Sequence, residues 1–229
     1  MGELLVQNKD IVIPGEKLAT GMDFLPSNGS FRSNEDVLAQ QLGIVNITGR
    51  SIRIVPLTGK YIPKEGDNVI GAIADMSFNN WYVDVGSAYQ AMLFVSSVPE
   101  YIEKNADLSQ YYNFKDIIYA VISKVTRSKV IELSMKGLGY RKLFGGKMIT
   151  VMPSRVPRII GKQGSMITMI KELTGCKIIV GQNGRIWIYG DIEGEKAATE
   201  AIMMVEQKSY KEGLTDEIKN FLESRRKIE

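Results

Sequence analysis

Two glycines separated by two residues lie between two apolar segments with helical spacing, and this arrangement constrains the fold of the C-terminal part of the chain more than any other feature. The segments are Pro157 to Ile160 and Ser165 to Thr174, and the loop between them reads Gly-Lys-Gln-Gly at 161–164. The second segment places apolar residues at i, i+3, i+4 and i+7, the spacing of one helix face. These residues are Met166, Met169, Ile170 and Leu173. The pattern therefore predicts two helices joined by a tight glycine loop.

Strand-like and helical segments surround this pair of helices in a regular order. A strand is predicted before it, Gly175 ends the second helix, and the dipeptide Asn183-Gly184 favours a tight hairpin between two further strands. The predicted elements are the strands Met148 to Met152, Lys177 to Val180 and Arg185 to Tyr189, a long helix from Ile192 to Tyr210, and a last amphipathic helix within Thr215 to Glu229. The order from residue 147 to residue 210 is βααββα.

The glycine loop has the composition of a phosphate contact. Glycine lacks a Cβ and allows the backbone to come close to a phosphate, while the helix that begins near Ser165 points its free N–H groups and positive dipole end to the same place. Lys162 adds a mobile cation. The candidate contact residues are Gly161, Lys162, Gln163 and Gly164, with the neighbouring cations Arg155, Arg158 and Lys171. A purely structural glycine turn is the alternative.

This segment resembles a type I KH domain over roughly Lys147 to Tyr210. The resemblance rests on the βααββα order and on the entry Val-Pro-Arg-Ile-Ile-Gly-Lys-Gln-Gly, and it implies an RNA clamp at the loop. A second GxxG sequence, Gly181 to Gly184, lies between two strands and is interpreted as a hairpin turn.

Short apolar runs broken by turn formers precede the KH-like segment and predict two β domains. The first, residues 1–62, includes the strand pair Leu42 to Ile47 and Ser51 to Leu57, and its expected role is scaffold or docking surface. The second, residues 63–136, offers five short strands that fit an OB barrel. These are Asn68 to Asp75, Trp81 to Val85, Ala91 to Val95, Ile117 to Val125 and Lys129 to Met135. A glycine-rich basic link leads to the KH-like domain at 147–210, and 211–229 is a tail. The predicted fold class is mainly β with an α+β C-terminal domain.

The barrel stretch from Gly71 to Val98 resembles the S-one domain, an OB barrel in which exposed aromatics stack on bases. Tyr82 stands where that family usually has a stacking Phe, and Phe94 stands where it often has a His. Core positions are the alternative for both residues, and for Phe78 and Trp81. Because side chains alternate along a strand, Trp81 and Tyr82 do not both face RNA.

Charge is unevenly distributed along the chain. The segment Lys124 to Arg185 holds 13 Lys and Arg against two acids, a balance of +11, whereas the total charge is +3, so the remainder carries −8. Such segregation is typical of a polyanion-binding surface. Lys124, Arg127 and Lys129 bracket a turn that could present them to phosphates, with a solvated hairpin as the alternative.

Composition excludes several kinds of site. The chain has no His and one Cys, so it lacks Ser-His and Cys-His nucleophile pairs and imidazole or thiolate metal clusters. Carboxylate-based chemistry, with or without an oxygen-ligated metal, would remain, but the sequence shows no tight carboxylate cluster that suggests it. We therefore predict no catalytic residues, no cofactor and no metal, with Cys176 as an ordinary small residue. No apolar run is long enough to span a bilayer and the N-terminus lacks a signal-peptide pattern, which predicts a cytoplasmic protein with no membrane partner.

A small N-terminal β domain, an S-one barrel and one KH domain, in this order, resemble the RNA-binding cap subunit of the archaeal exosome. Gln163 stands where the KH loop of that family often has Asn. The resemblance implies a non-catalytic protein that binds single-stranded RNA. It also implies three cap copies on a hexameric ring of RNase PH-like subunits that degrades RNA from 3′ to 5′, with the N-terminal domain docked on the ring.

Two other interpretations stay open at this point. Polynucleotide phosphorylases carry both modules, but in the opposite order and after catalytic domains that are absent here. Transcription factors of the NusA kind have a barrel followed by KH modules, and only one KH unit fits between Lys147 and Glu229.

Overall fold

The computed structural model describes residues 2–103, 106–209, 211 and 213–226. The chain divides into two compact units, Met1–Gly59 and Lys60–Glu229. The division falls close to the boundary predicted at residue 62. Barrel and KH domain lie together in the second unit.

Short strands make up the first unit, in which two sheets enclose one core. The strands are β1 (Ile11–Val12), β2 (Lys17–Thr20), β3 (Leu25–Pro26), β4 (Ser30–Ser33), β5 (Asp36–Ala39), β6 (Gly43–Thr48) and β7 (Ser51–Pro56). One sheet has the order β1-β6-β7-β3 and the other β2-β5-β4. The antiparallel pair β6 and β7 corresponds to the predicted hairpin. Buried side chains such as Leu18, Val37 and Ile52 form the core.

The second unit begins with a closed five-stranded barrel, which confirms the OB prediction. Its strands are β8 (Asn68–Met76), β9 (Asn80–Asp84), β10 (Ala91–Phe94), β11 (Ile117–Val125) and β12 (Ile131–Ser134). The order is β12-β10-β9-β8-β11, and pairing of β12 with β11 closes the barrel. A further strand, β13 (Arg141–Leu143), pairs with β11 from outside. The predicted link between the domains therefore includes a strand that extends the barrel sheet.

Trp81 lies at the centre of the barrel core. Its side chain is fully buried, and its indole N–H donates to the carbonyl of Tyr112 at 3.0 Å. The two rings meet edge to face with centroids 5.1 Å apart. The tyrosine-rich excursion between β10 and β11, which has short 3₁₀ helices at Val95–Ser97 and Leu108–Gln110, thus supplies part of the core.

The KH domain follows with the predicted βααββα order. Its strands are β14 (Lys147–Thr150), β15 (Lys177–Val180) and β16 (Arg185–Tyr189), and its helices are α1 (Val156–Ile160), α2 (Ser165–Thr174) and α3 (Ile192–Gln207), with 3₁₀ turns at Pro153–Arg155 and Lys162–Gly164. The sheet order is β14-β16-β15, antiparallel throughout. The helices cover one face of this sheet, where Ile178, Ile186 and Ile188 are buried.

A last helix, α4 (Leu214–Arg226), packs on α2 and α3. Leu214, Ile218 and Leu222 are buried in the KH core and Phe221 is partly buried, which gives the helix the amphipathic character predicted from the sequence. The ends of the predicted segments at Tyr210 and 227–229 lie outside the described residues. Among the helices that the structure describes, none combines the length and the apolar composition needed to cross a bilayer.

Candidate RNA-binding surface

Gly161 opens the glycine loop in a conformation that requires glycine. Its backbone has φ 77° and ψ 174°, a region that is essentially open to glycine only. A Cβ at this position would lie 2.7 Å from the Cβ and 2.8 Å from the backbone N of Met166. The Gly161 N–H donates to the carbonyl of Pro157 at 3.0 Å and ends α1. The glycine therefore brings the ends of the two helices close together.

Gln163 and Gly164 complete the turn in the left-handed region. Gln163 has φ 53° and ψ 28°, and Gly164 has φ 80° and ψ 7°. Asn adopts this conformation more readily than most residues other than glycine, which explains physically why an Asn is suited to the position of Gln163. A Cβ on Gly164 would meet only Thr168 Oγ1, at 3.9 Å. The tip of the loop is therefore open, unlike its base at Gly161.

The start of α2 gives the loop an electropositive character. No side chain caps this end of the helix, and its first turn carries no acidic residue. Free backbone N–H groups and the helix dipole both favour an anion here. Lys162 and Gln163 are exposed beside them. The arrangement can hold a phosphate without base-specific contacts.

The three cations predicted next to the glycine loop, Arg155, Arg158 and Lys171, differ in their exposure and contacts. The Arg158 guanidinium donates from Nη2 to the carbonyl of Lys211 at 3.1 Å, so it joins α1 to the segment before α4. Arg155 and Lys171 are half-buried, in the 3₁₀ turn before α1 and on α2 respectively. Of the predicted group, Lys162 is the cation that stands on the loop itself.

The barrel register decides which aromatics face outward. Because Trp81 is in the core, Tyr82 lies on the outer face of β9, directly opposite Met92. Phe94 lies on the same face and is half-buried, as is Tyr82. Phe78 is exposed in the turn between β8 and β9. Tyr82 and Phe94 are therefore available as a stacking surface, and Trp81 is not.

The hairpin between β11 and β12 carries the third predicted group. Lys124, Arg127 and Lys129 are exposed, and Lys129 has a positive φ of 65°. The Thr126 hydroxyl accepts from the Val130 N–H at 3.0 Å and shapes the turn. The three cations thus lie on one hairpin of the barrel, at the turn where the sequence predicted them.

The second GxxG sequence has a role that sequence reasoning missed. Asn183 is 4% exposed, and its side-chain NH₂ donates to the barrel carbonyls of Ile70 at 2.8 Å and Val85 at 2.9 Å. The neighbouring Gln182 exchanges hydrogen bonds with the backbone of Asn68. The turn is indeed a hairpin, but its side chains also join the KH domain to the barrel. No local signal indicates this, since the partners are backbone atoms about a hundred residues away.

An ion pair and an apolar cluster complete this joint. Arg185 binds Asp84 at 2.6 Å, while Ile70, Leu143 and Trp187 are buried together. Partial burial acts to raise the pKa of the Asp84 carboxyl, but the Arg185 guanidinium outweighs this effect and holds the pKa below its ordinary value. Lys142 is similarly paired with Asp116. Two cations of the basic segment are therefore neutralised by acids outside it.

Comparisons with known proteins agree with this architecture. Residues 146–194 match the KH domain family. The chain is 45% identical to the exosome complex component Rrp4 of Thermococcus kodakarensis, over 98% of this chain and 89% of that protein. It is 42% identical to Rrp4 of Methanothermus fervidus, over 96% and 97% respectively.

A solved structure of a protein assigned as an exosome complex RNA-binding protein is also similar. It superimposes with a TM-score of 0.67 at 33% identity, covering 74% of this chain and 99% of that protein. The sequence similarity to Rrp4 spans the N-terminal unit, the barrel and the KH domain together. The chain therefore belongs to the family of the archaeal exosome complex component Rrp4.

Proposed function

We propose that this protein is a non-catalytic RNA-binding cap subunit of an archaeal exosome. It binds single-stranded RNA and passes it to a ring of RNase PH-like subunits, which degrades the RNA from 3′ to 5′. The observation that carries the proposal is the similarity to Rrp4 proteins along 98% of the chain. This similarity includes all the modules in the same order, which separates the protein from chains that share only a barrel or a KH domain.

RNA binding in this proposal uses two kinds of contact. Phosphates bind at the open tip of the glycine loop, where Lys162 and the N–H groups of α2 lie, and on the cations of the β11–β12 hairpin. Bases stack on Tyr82 and Phe94 on the barrel. Stacking and phosphate contacts both tolerate any sequence, so the protein is expected to bind single strands with weak base preference.

The absence of catalysis is supported by the side chains that are available. The chain contains no His, and its single thiol, Cys176, is buried. Burial raises the pKa of this thiol, which disfavours the reactive thiolate. The protein accordingly acts by holding RNA, and the ring supplies the chemistry.

Docking on the ring is assigned to the N-terminal unit. This small unit exposes several large apolar side chains, and contiguous exposed apolar surface is typical of protein interaction sites. They are Leu4, Leu5, Ile11, Ile13, Met22, Leu25, Phe31 and Val55. Three copies per hexameric ring, in the cytoplasm, complete the proposed assembly.

Co-purification with RNase PH-like ring subunits of an archaeal exosome tests this function. Tagged protein is expected to bring down the ring, and native mass spectrometry is expected to give three caps per hexamer. Replacing Ile11 and Met22 with Ser should abolish the complex, whereas the same change at Ile192, an exposed apolar residue of the KH domain, should not. A folded protein that forms no ring complex, or that degrades RNA alone, would contradict the proposal.

A further inference from the structure

The KH sheet has two faces with different neighbours. Helices cover one face, and the barrel covers part of the other through Trp187 and Ile179. Side chains directly opposite each other in an antiparallel pair share a face, as do residues two apart on one strand. Tyr189 therefore lies on the barrel-side face, two residues beyond Trp187, at the margin that the barrel leaves uncovered.

Tyr189 is held as a rigid, exposed ring. It is 45% exposed and stacks on Trp187 with an interplanar angle of 7° and a centroid distance of 5.6 Å. Trp187 is fixed in turn, because it is 4% exposed and its indole N–H donates to the carbonyl of Gly145 at 2.8 Å. A Cβ on Gly145 would lie 3.3 Å from the Tyr189 ring. The ring is therefore ordered before any ligand arrives.

A cation lies beside this ring. Lys177 lies directly opposite Tyr189 in the register of β15 and β16 and is exposed. The nearest acid in sequence, Asp191, is engaged as the N-cap of α3 and accepts from the Gly194 N–H at 3.1 Å.

A second exposed aromatic extends the surface. Phe144, next to Gly145 in the chain, is 69% exposed, and the Lys142 ammonium lies 5.2 Å from its ring centroid. Lys142 is also paired with Asp116, so that acid is neutralised. The margin of the sheet thus combines ordered aromatic rings with positive charge, which is the composition of single-strand binding surfaces.

We propose that this margin, formed by Tyr189, Lys177 and Phe144, is a further binding site for single-stranded RNA. A base stacks on the exposed part of Tyr189, and an adjoining phosphate lies near Lys177. The site is on the face of the KH sheet opposite the helices that carry the glycine loop, so it is separate from that loop. The inference rests on the RNA binding proposed above and assigns a second contact to it.

The test compares RNA affinities by fluorescence anisotropy, using the full chain and a labelled single-stranded oligonucleotide of about 20 nucleotides, a length above the site sizes typical of single modules. Tyr189→Ala is expected to weaken binding between about fivefold and about a hundredfold, the range for loss of one stacking ring. Tyr189→Phe keeps the ring and should retain the affinity. The matched control is Tyr101→Ala, because Tyr101 is 89% exposed but stands between Glu100 and Glu103.

A second variant tests the site even if Tyr189→Ala does not fold. Lys177→Gln should lower the slope of log affinity against log salt by about one, the value for one lost phosphate contact. An unchanged slope together with unchanged affinity of folded Tyr189→Ala would overturn the site. If Tyr189→Ala binds RNA normally but loses the ring subunits, the margin is a protein interface and the RNA site is wrong.

A third variant distinguishes failure of this second site from failure of the proposed RNA-binding function. Gly164→Asp, at the open loop tip, is measured in parallel. If it weakens RNA binding while Tyr189→Ala does not, RNA binding stands and the second site falls. If the wild-type chain binds no RNA at all, the proposed function itself has failed.

Discussion

Asn183 on the KH domain and Ile70 on the barrel are joined through both polar atoms of the Asn side chain. The Asn183 NH₂ group donates to the Ile70 carbonyl at 2.8 Å, and its Oδ1 accepts from the Ile70 N–H at 3.3 Å. A third bond reaches the carbonyl of Val85. The Asn183 side chain thus hydrogen-bonds to the barrel backbone as a neighbouring strand would. These bonds connect the KH domain to the barrel.

Asn183→Ala should therefore loosen the joint. The change leaves buried backbone groups without a partner, and an unsatisfied buried group costs ~1–3 kcal/mol. We expect a loss of that order in urea unfolding, and faster amide exchange at Ile70. Asn220→Ala, on the exposed side of α4, is the control and should change stability by less than about 0.5 kcal/mol. Equal stability of the two variants would contradict a role in the joint.

Substitutions in the glycine loop should separate its base from its tip. Gly161→Asp forces a Cβ against the start of α2 and is expected to destabilise the KH domain. Gly164→Asp has room and should fold, at a cost of about 1 kcal/mol for a left-handed residue, but its carboxylate repels phosphate. We expect weaker RNA binding in anisotropy measurements.

The control for this loop variant is Gly164→Asn, which has nearly the same shape and tolerates the same backbone conformation without charge. It should bind RNA nearly as the wild type does. If Asp and Asn variants bind alike, the loop tip does not contact phosphate.

Trp81 and Tyr82 are neighbours in sequence with opposite expected phenotypes. Trp81→Ala empties the barrel core and should cost ~3–5 kcal/mol of unfolding free energy. Tyr82→Ala changes the outer face and should leave stability nearly unchanged, but weaken RNA binding at least about fivefold through lost stacking. Urea denaturation and anisotropy on the same preparations separate the two effects. A folded Tyr82→Ala protein with full RNA affinity would remove Tyr82 from the RNA surface.

Packing of α4 should depend on pH through Glu217. Hydrogen bonds from Lys208 and then Lys211 lower the pKa of this carboxyl to about 2. Because the pKa of Glu217 is lower in the folded than in the unfolded state, the ionised carboxylate stabilises the folded state at pH values above 4.5, the ordinary pKa. This contribution is lost as the pH falls toward about 2. Glu217→Gln should therefore be less stable than the wild type at pH 7. This difference should shrink between about pH 4.5 and 2 in urea midpoints; a pH-independent difference would sink the ion-pair account.

Local patterns in the sequence predicted the five barrel strands and the elements of the KH domain in their observed order, but not β1 to β5 or β13. The spacing of Met166, Met169, Ile170 and Leu173 predicted α2 from Ser165 to Thr174, and both strands of the hairpin at 177–189 were predicted with their observed bounds. These predictions succeed because side-chain periodicity and glycine turns act within one element. The glycine loop was located for the same reason, since its backbone conformation requires glycine at 161 and favours glycine at 164.

Only the tertiary structure decided how the modules meet and which side chains face outward. Because side chains alternate along a strand, the sequence shows that Trp81 and Tyr82 face opposite sides but not which of them faces the core. The folded barrel buries Trp81. The roles of Asn183 and Arg185 depend on backbone and carboxylate partners about a hundred residues away, in a turn whose composition a simple hairpin already explains. Contacts between distant segments leave no periodic trace in a single sequence, and for this reason the joint between barrel and KH domain emerged from the folded chain alone.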